Sequence, residues 1–375
     1  MMTEKMTYRW LWSCLIAGGL LLLSGCSGSS EDDQQQFDIL QLRAVTRTEG
    51  AFKIPNEETP ASNIRLFLAT LSPTNEDPNH YSMVEGTCSY SDQWSSSSSL
   101  KVKEETPYYL YGYMPSSISA SQSAPEGNDY SKGINLTLSN LPAITSDDIC
   151  VLVGVQRVET KSTEPTELPT ITEGQYGFRT GIKGKNYLNL LMAHLYTKVK
   201  VSFKIDSDYA ELRSIHLKKV TLTSKYADGE SVTLNLRSGQ GIGSPTFPSG
   251  SETEEHTVTL LNTSDAEKVL DKALADSEDP ALTLDLPAYC RPVAGDTYNL
   301  TLTTTYDVYD TKGSKLGEQT SENEIKTERT SVNKIQLNMA DVRPGKEKVL
   351  VLTVMPTYLY VLSDNDADNP TIKVE

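Results

Sequence analysis

Tyr187-Leu188-Asn189-Leu190-Leu191-Met192-Ala193-His194-Leu195 runs directly into Tyr196-Thr197-Lys198-Val199-Lys200-Val201-Ser202-Phe203-Lys204-Ile205-Asp206, and this stretch decides the fold class. Its second half alternates strictly. Val199, Val201, Phe203 and Ile205 point one way, and Lys198, Lys200, Ser202 and Lys204 point the other. A period of two with β-branched and aromatic residues on one side is the pattern of a half-buried antiparallel strand.

The same pattern recurs outward in both directions. Upstream lie Phe37–Val45, Asn63–Leu71, Pro107–Met114 closed by Pro115, and Ile134–Leu138. Ile149–Val155 is apolar on both faces, which suits a central strand. Downstream lie Ile215–Thr223, Val232–Leu236, Val258–Leu261, Leu282–Leu286, Tyr298–Tyr309 and Val332–Leu337, punctuated by turn signals such as Ala227-Asp228-Gly229. One helix is expected, capped by Asp265, with Ala266, Val269, Leu270, Ala273 and Leu274 as an apolar stripe through Asp276. No βαβ alternation occurs, which argues against a parallel α/β sheet. No fixed-period repeat occurs, which argues against propellers and solenoids. At about 150 residues per domain, the 375 residues favour two domains. The expected fold is all-β, two antiparallel β-sandwich domains in tandem with little helix. The N-terminal sandwich is placed at 37–196 and the C-terminal one at 197–345. The break Asp341-Val342-Arg343-Pro344-Gly345 then sets off a C-terminal strand segment, 346–375.

The chain carries 34 Lys+Arg against 50 Asp+Glu, a formal charge of −16. A nucleic-acid binder needs a basic stripe to neutralise phosphates, so that class is disfavoured, as is polybasic adhesion to an anionic membrane. Tyr (19) far outnumbers Phe (6), which suits strands with one wet face, because tyrosine buries a ring and hydrates its hydroxyl.

Residues 1–25 read as a lipoprotein signal peptide. Lys5 and Arg9 supply the positive start, Leu11–Leu23 is an apolar run too short for a good bilayer span, and Leu23-Ser24-Gly25-Cys26 is a lipobox. Cys26 is the expected lipidation site, and it would tether the protein to the outer membrane. The polar segment 26–36, with Ser27–Gln36 reading SGSSEDDQQQ, is expected to be a flexible tether. Its acidic character after the lipidated cysteine resembles the surface-export signal of Bacteroidetes lipoproteins.

Catalytic chemistry has no foothold in the pattern. No GxSxG, HExxH, Walker A or GxGxxG motif is present. His80, His194, His216 and His256 are widely spaced and no CxxC pair exists, so neither a metal site nor any cofactor is expected. His194 reads as a core or edge histidine and Cys150 as a small buried hydrophobe. Cys88, Cys150 and Cys290 allow at most one disulfide. Asp364, Asp366, Asp368 and Glu375 have the spacing of a calcium loop, but Pro370 intrudes and no helix flanks them, so they read as a solvated acidic tail.

With the lipobox, the two strand-rich halves, the junction Leu190–Val201 and the preceding Asp147-Asp148-Ile149-Cys150-Val151-Leu152-Val153-Gly154, the chain resembles the fimbrillin family of Bacteroidales over most of 37–340. That resemblance implies two transthyretin-like sandwiches and a non-enzymatic pilus subunit, in partnership with other fimbrial subunits as a homo- or heteropolymer. It also implies that a trypsin-like protease cuts after an arginine behind the first strand, and that a strand from another subunit fills the emptied groove. Arg47 and Arg43 are the matching processing residues, Arg47 preferred because it follows the apolar alternation. The donor strand would be the run Val349–Leu362, with Val349, Val351, Val354, Tyr358, Tyr360 and Leu362 as its apolar residues and Pro356 interrupting it. The alternative is a surface glycan-binding lipoprotein of a polysaccharide-uptake system. That reading needs an exposed aromatic platform, for which Tyr108, Tyr109, Tyr111 and Tyr113 are the candidates.

Overall fold

The computed structural model describes residues 37–48, 51–53, 63–90, 94–124, 127–160, 171–225, 230–242, 245, 247, 255–262, 264–292, 297–316, 318–321, 324–326, 328–338 and 342–355. The chain is nearly all β, as its alternation implies. The principal strands are β1 (Phe37–Ile39), β2 (Gln41–Thr48), β3 (Ile64–Leu71), β4 (Tyr81–Tyr90), β5 (Pro107–Met114), β6 (Gly133–Leu141), β7 (Cys150–Val158), β8 (Tyr187–His194), β9 (Thr197–Ile205), β10 (Arg213–Ser224), β11 (Glu230–Arg237), β12 (His256–Leu261), β13 (Thr297–Asp310), β14 (Glu328–Asn338) and β15 (Glu347–Val354). Two one-turn helices, α1 (Ser207–Ala210) and α2 (Lys272–Ala275), interrupt them.

A large sheet runs β2-β8-β7-β5-β3-β4, with short strands added at both ends. Its central strand β7 has Cys150–Val155 buried without interruption, as the two-faced apolar run predicts. One face of this sheet meets a small sheet of β11, β6 and Ser119–Ser123. Phe67, Tyr111, Val151 and Leu191 there share a core with Ile134, Leu136, Val232 and Leu234. The other face gathers Leu40, Leu42 and Ala44 with Leu66, Leu110, Leu152 and Leu190. A third core joins β9 and β15 to β10, β12 and β13 through Val201, Phe203, Leu217, Leu222, Leu302 and Leu350. In β9 the apolar row is buried and the lysines are half-exposed, matching the alternation.

Two features differ from the sequence reading. The expected helix over 265–276 is instead a short strand, Lys268–Leu270, followed by α2. Val269 and Leu270 pair with His216 and Ile215 of β10, and Leu270 is completely buried. A ladder with an existing strand satisfies the backbone as well as a helix does and buries more, so tertiary pairing overrides the helical spacing. Asp271, not Asp265, caps the remaining turn, its carboxylate accepting from Leu274 N at 3.0 Å.

Val232–Leu236, which falls within the C-terminal series, is the second. It pairs antiparallel with β6 from Gly133↔Arg237 to Leu138↔Val232. Alternation specifies a face but carries no information about which strand lies beside it. In the opposite direction, Ile144–Thr145 pairs with Ala288–Cys290, which in turn pairs with the start of β9. Around this crossing Arg291 Nη1 donates to Leu141 O at 2.6 Å and Tyr298 Oη to Ala143 O at 2.6 Å. Every described element belongs to one compact unit, Gln36–Glu375, and segments cross residue 196 both ways.

Candidate functional site

In the large sheet β2 lies between β8 and the short return strand Ala51–Lys53, while β1 pairs with Lys101–Lys103. β2 lies parallel to β8, with Leu42 opposite Leu188, Arg43 opposite Asn189 and Ala44 opposite Leu190. Leu40, Leu42 and Ala44 face inward and are buried, at 1%, 6% and 0% exposure. Asp38 anchors the entry by accepting from Gly184 N at 2.8 Å and Asn186 Nδ2 at 3.0 Å. Leu40 N donates to Leu100 O and Gln41 N to Asn186 O, both at 3.2 Å. Alongside runs an open cleft of about 730 Å³, lined by Phe37, Arg43, Trp94, Tyr187 and Asn189 among others.

This arrangement is a plug. Burying a leucine side chain is worth about 1.5–3 kcal/mol, so Leu40 and Leu42 together account for about 3–6 kcal/mol. A domain's net stability is only about 5–15 kcal/mol. Taking β2 away would therefore leave a groove along β8 that cannot stay empty cheaply, together with a row of unpaired backbone groups.

Arg43 lies within β2, half-buried on the cleft. The backbone of Arg47 lies near the end of β2, paired with Phe52 of the return strand Ala51–Lys53; its side chain is outside the described residues. At the other end of the chain, β15 lies parallel to β9, from Lys198↔Glu347 to Ile205↔Val354. Leu350 is buried and Val354 half-buried, whereas Val349 and Val351 face outward, at 43% and 54% exposure. Glu347 pairs with Lys198 at 3.6 Å and Lys200 at 3.5 Å. Tyr358, Tyr360 and Leu362, Cys26 and the acidic tail lie outside the described residues.

The four tyrosines of β5 do not make a platform. Tyr108, Tyr111 and Tyr113 are buried and only Tyr109 is partly exposed, because β5 lies between β7 and β3 and is covered on both faces. Tyr111 Oη donates to Tyr130 O at 2.6 Å, Tyr113 Oη to Ile118 O at 2.9 Å, and Lys103 N donates to Tyr108 Oη at 2.9 Å. Burial pushes all three phenols upward. The hydroxyls of Tyr108, Tyr111 and Tyr113 thus bond to the protein's own backbone.

One constellation escapes sequence spacing. Asp148, Cys150 and His194 converge where β7 and β8 meet, because Cys150 and His194 are directly opposed across the ladder. Asp148 Oδ1 is 2.9 Å from His194 Nδ1 and 3.3 Å from Cys150 Sγ, and Sγ and Nδ1 are 3.3 Å apart. Burial, then the adjacent Asp148 charge, pushes the Cys150 thiol well up. The only sequence signal is the Asp-x-Cys step, since His194 is 44 residues from Cys150. Cys88, Cys150 and Cys290 are all free and buried.

Among the described residues no helix is long and apolar enough to cross a membrane. No protein-family profile and no curated protein matches the chain. Among solved structures it is similar to a fimbrial protein from Bacteroides vulgatus ATCC 8482, at 12% identity and a TM-score of 0.36, over 84% of this chain and 95% of that one. It is also similar to a fimbrial protein from Bacteroides ovatus ATCC 8483, at 12% identity and a TM-score of 0.29, over 88% of this chain and 54% of that one.

Proposed function

We propose that this chain is a non-catalytic cell-surface lipoprotein, a fimbrial subunit that assembles by strand exchange and supports cell adhesion. The observation that carries the reading is β2, which runs parallel to β8, with Leu42, Ala44 and the adjoining Leu40 filling a core groove and Arg47 near its far end. In this reading the lipid on Cys26 holds the chain at the outer membrane until an arginine-specific protease cuts after Arg47, or after Arg43. Loss of β1 and β2 opens the groove along β8. The C-terminal run of another subunit, Val349–Leu362, then adds as a strand in their place. The placing of β15 at an exposed edge, with Val349 and Val351 outward, supports a segment that can be offered to a neighbour.

The test is limited digestion of the purified full chain with an arginine-specific protease, followed by N-terminal mass analysis and electron microscopy. Cleavage at Arg47 or Arg43 followed by filaments or ladders is expected, and the Arg43→Ala/Arg47→Ala chain should stay monomeric. A cleaved chain that remains monomeric, together with an uncleavable one that assembles equally well, would sink the reading.

A further inference from the structure

We propose that Asp148, Cys150 and His194 form a mononuclear binding site for a borderline divalent transition metal ion, zinc being the best fit. The site is built from strands rather than loops. Cys150 and His194 face each other across β7 and β8, and Asp148, two residues earlier, presents its carboxylate to the same side. One ligand atom from each residue points into a triangle with edges of 2.9, 3.3 and 3.3 Å. Zinc bonds of about 2.3 Å to sulfur and about 2.0–2.2 Å to nitrogen and oxygen put tetrahedral ligand atoms about 3.3–3.6 Å apart. Each edge therefore has to open by only a few tenths of an ångström, which side-chain rotation can supply.

The donor set chooses the ion. A thiolate beside an imidazole disfavours magnesium and calcium, which take oxygen, and suits zinc and its neighbours in the first transition row. Three protein ligands leave a fourth position. Cys150 is fully buried, whereas the side chains of His194 and Asp148 keep 14% and 10% of their surface, and water is the ligand expected at the fourth position. In the metal-free arrangement the Cys150 thiol and His194 Nδ1 both stand against one carboxylate oxygen of Asp148. Binding replaces the thiol proton, which is released as Cys150 becomes a thiolate ligand. Metal affinity should therefore fall on acidification.

The site also has a defined place in the fold. The turn leading into β15 passes beside His194: a methyl placed on Gly345 would stand 4.0 Å from His194 Cβ, and Gly345 N donates to Tyr196 O at 3.1 Å.

Cobalt(II) is the probe. The full chain, stripped of metal and held reduced with a phosphine, is titrated with Co²⁺ and read by optical absorption. The expected result is a thiolate-to-cobalt charge-transfer band with the visible bands of a four-coordinate ion, saturating at one equivalent and erased by Zn²⁺. Cys150→Ser should abolish the charge-transfer band, Cys88→Ser/Cys290→Ser should retain it, and His194→Gln should weaken binding at least about tenfold. A missing charge-transfer band at saturating Co²⁺, or one that survives Cys150→Ser, would leave only a hydrogen-bonded triad. Should Cys150→Ser misfold by circular dichroism, X-ray absorption of the zinc-loaded wild-type chain decides: one sulfur scatterer supports the site and none overturns it.

Discussion

Two described strands run parallel to their neighbours, β2 along β8 and β15 along β9; every other described pair is antiparallel. They come from opposite ends of the chain, yet both dock on the single stretch 187–205. Their anchoring differs. β2 and the residue before it sink Leu40, Leu42 and Ala44 into a core, whereas β15 buries Leu350 alone, half-buries Leu352 and Val354, and turns Val349 and Val351 to solvent. Burial of apolar side chains sets the strength of an edge, so the N-terminal strand is a deep plug and the C-terminal strand a shallow one. The strand exchange proposed above would use this asymmetry: the plug would stay until it is cut, and the C-terminal strand would leave its own edge without unfolding its core.

The largest effect expected follows directly. Leu40→Ala/Leu42→Ala should cost about 4–10 kcal/mol, at about 2–5 kcal/mol per buried leucine truncated, enough to unfold the N-terminal cores. Leu350→Ala, at the rim of its core, should cost about 2 kcal/mol. Urea unfolding of the full chain measures both. Equal losses at Leu42 and Leu350 would erase the distinction between plug and donor.

The buried thiols sharpen the same contrast. Cys88 shares a core with Leu40, Leu42 and Ala44, and Cys290 shares one with Leu350. Burial pushes both up to about 12. Each thiol therefore stays protonated through pH 9–11 in the folded chain and becomes a reactive thiolate near pH 9 only where its core has opened. After cleavage behind β2, Cys88 should alkylate at pH 8.5 at least about tenfold faster than in the intact chain, with Cys290 unchanged. Release of β15 should do the reverse. Mass-resolved labelling reads this, and simultaneous labelling of both would show that the two edges open together.

The strands themselves were legible because side-chain period is a local property. Val199, Val201, Phe203 and Ile205 alternate in sequence and are buried in space. The two-faced apolar run at Cys150–Val155 lies mid-sheet. What was not legible depends on partners. Val232–Leu236 reads identically whether it joins β6 or a C-terminal sheet. Val269 and Leu270 fit a helical stripe as well as the edge of β10. Tyr108–Tyr113 reads as half-exposed unless it is known that strands flank β5 on both sides. The meeting of Asp148, Cys150 and His194 is a matter of register between β7 and β8, which no spacing within either strand encodes.

A smaller prediction concerns the turn that feeds the shallow strand. Gly345 has φ of 71°, in the left-handed region that costs a residue with a Cβ about 1–2 kcal/mol. A methyl there meets nothing closer than 4.0 Å, so Gly345→Ala should lose about 1 kcal/mol from backbone strain alone. The loss should appear in the unfolding of β15, read by hydrogen exchange of its amides, and not in β2. Slower exchange in β15 would show that the turn is not what limits its docking.

The smallest effect tests whether charge or burial holds β15. Glu347 stands at its start, with Lys198 and Lys200 of β9 at 3.6 and 3.5 Å. These lysines occupy the polar face of the same alternation that buries Val199 and Val201. The Glu347 side chain is 31% exposed, so water and salt screen it, and partly exposed ion pairs contribute only about 0.2–1 kcal/mol. Glu347→Gln should therefore destabilise by less than Leu350→Ala. The difference from wild type should shrink toward zero at about 1 M salt, where the screening length is about 3 Å. Unfolding curves at low and high salt for both variants give the comparison. A Glu347→Gln loss exceeding that of Leu350→Ala would mean that the β15 edge is clamped electrostatically, and strand release would then be governed by ionic strength rather than by the shallowness of its burial.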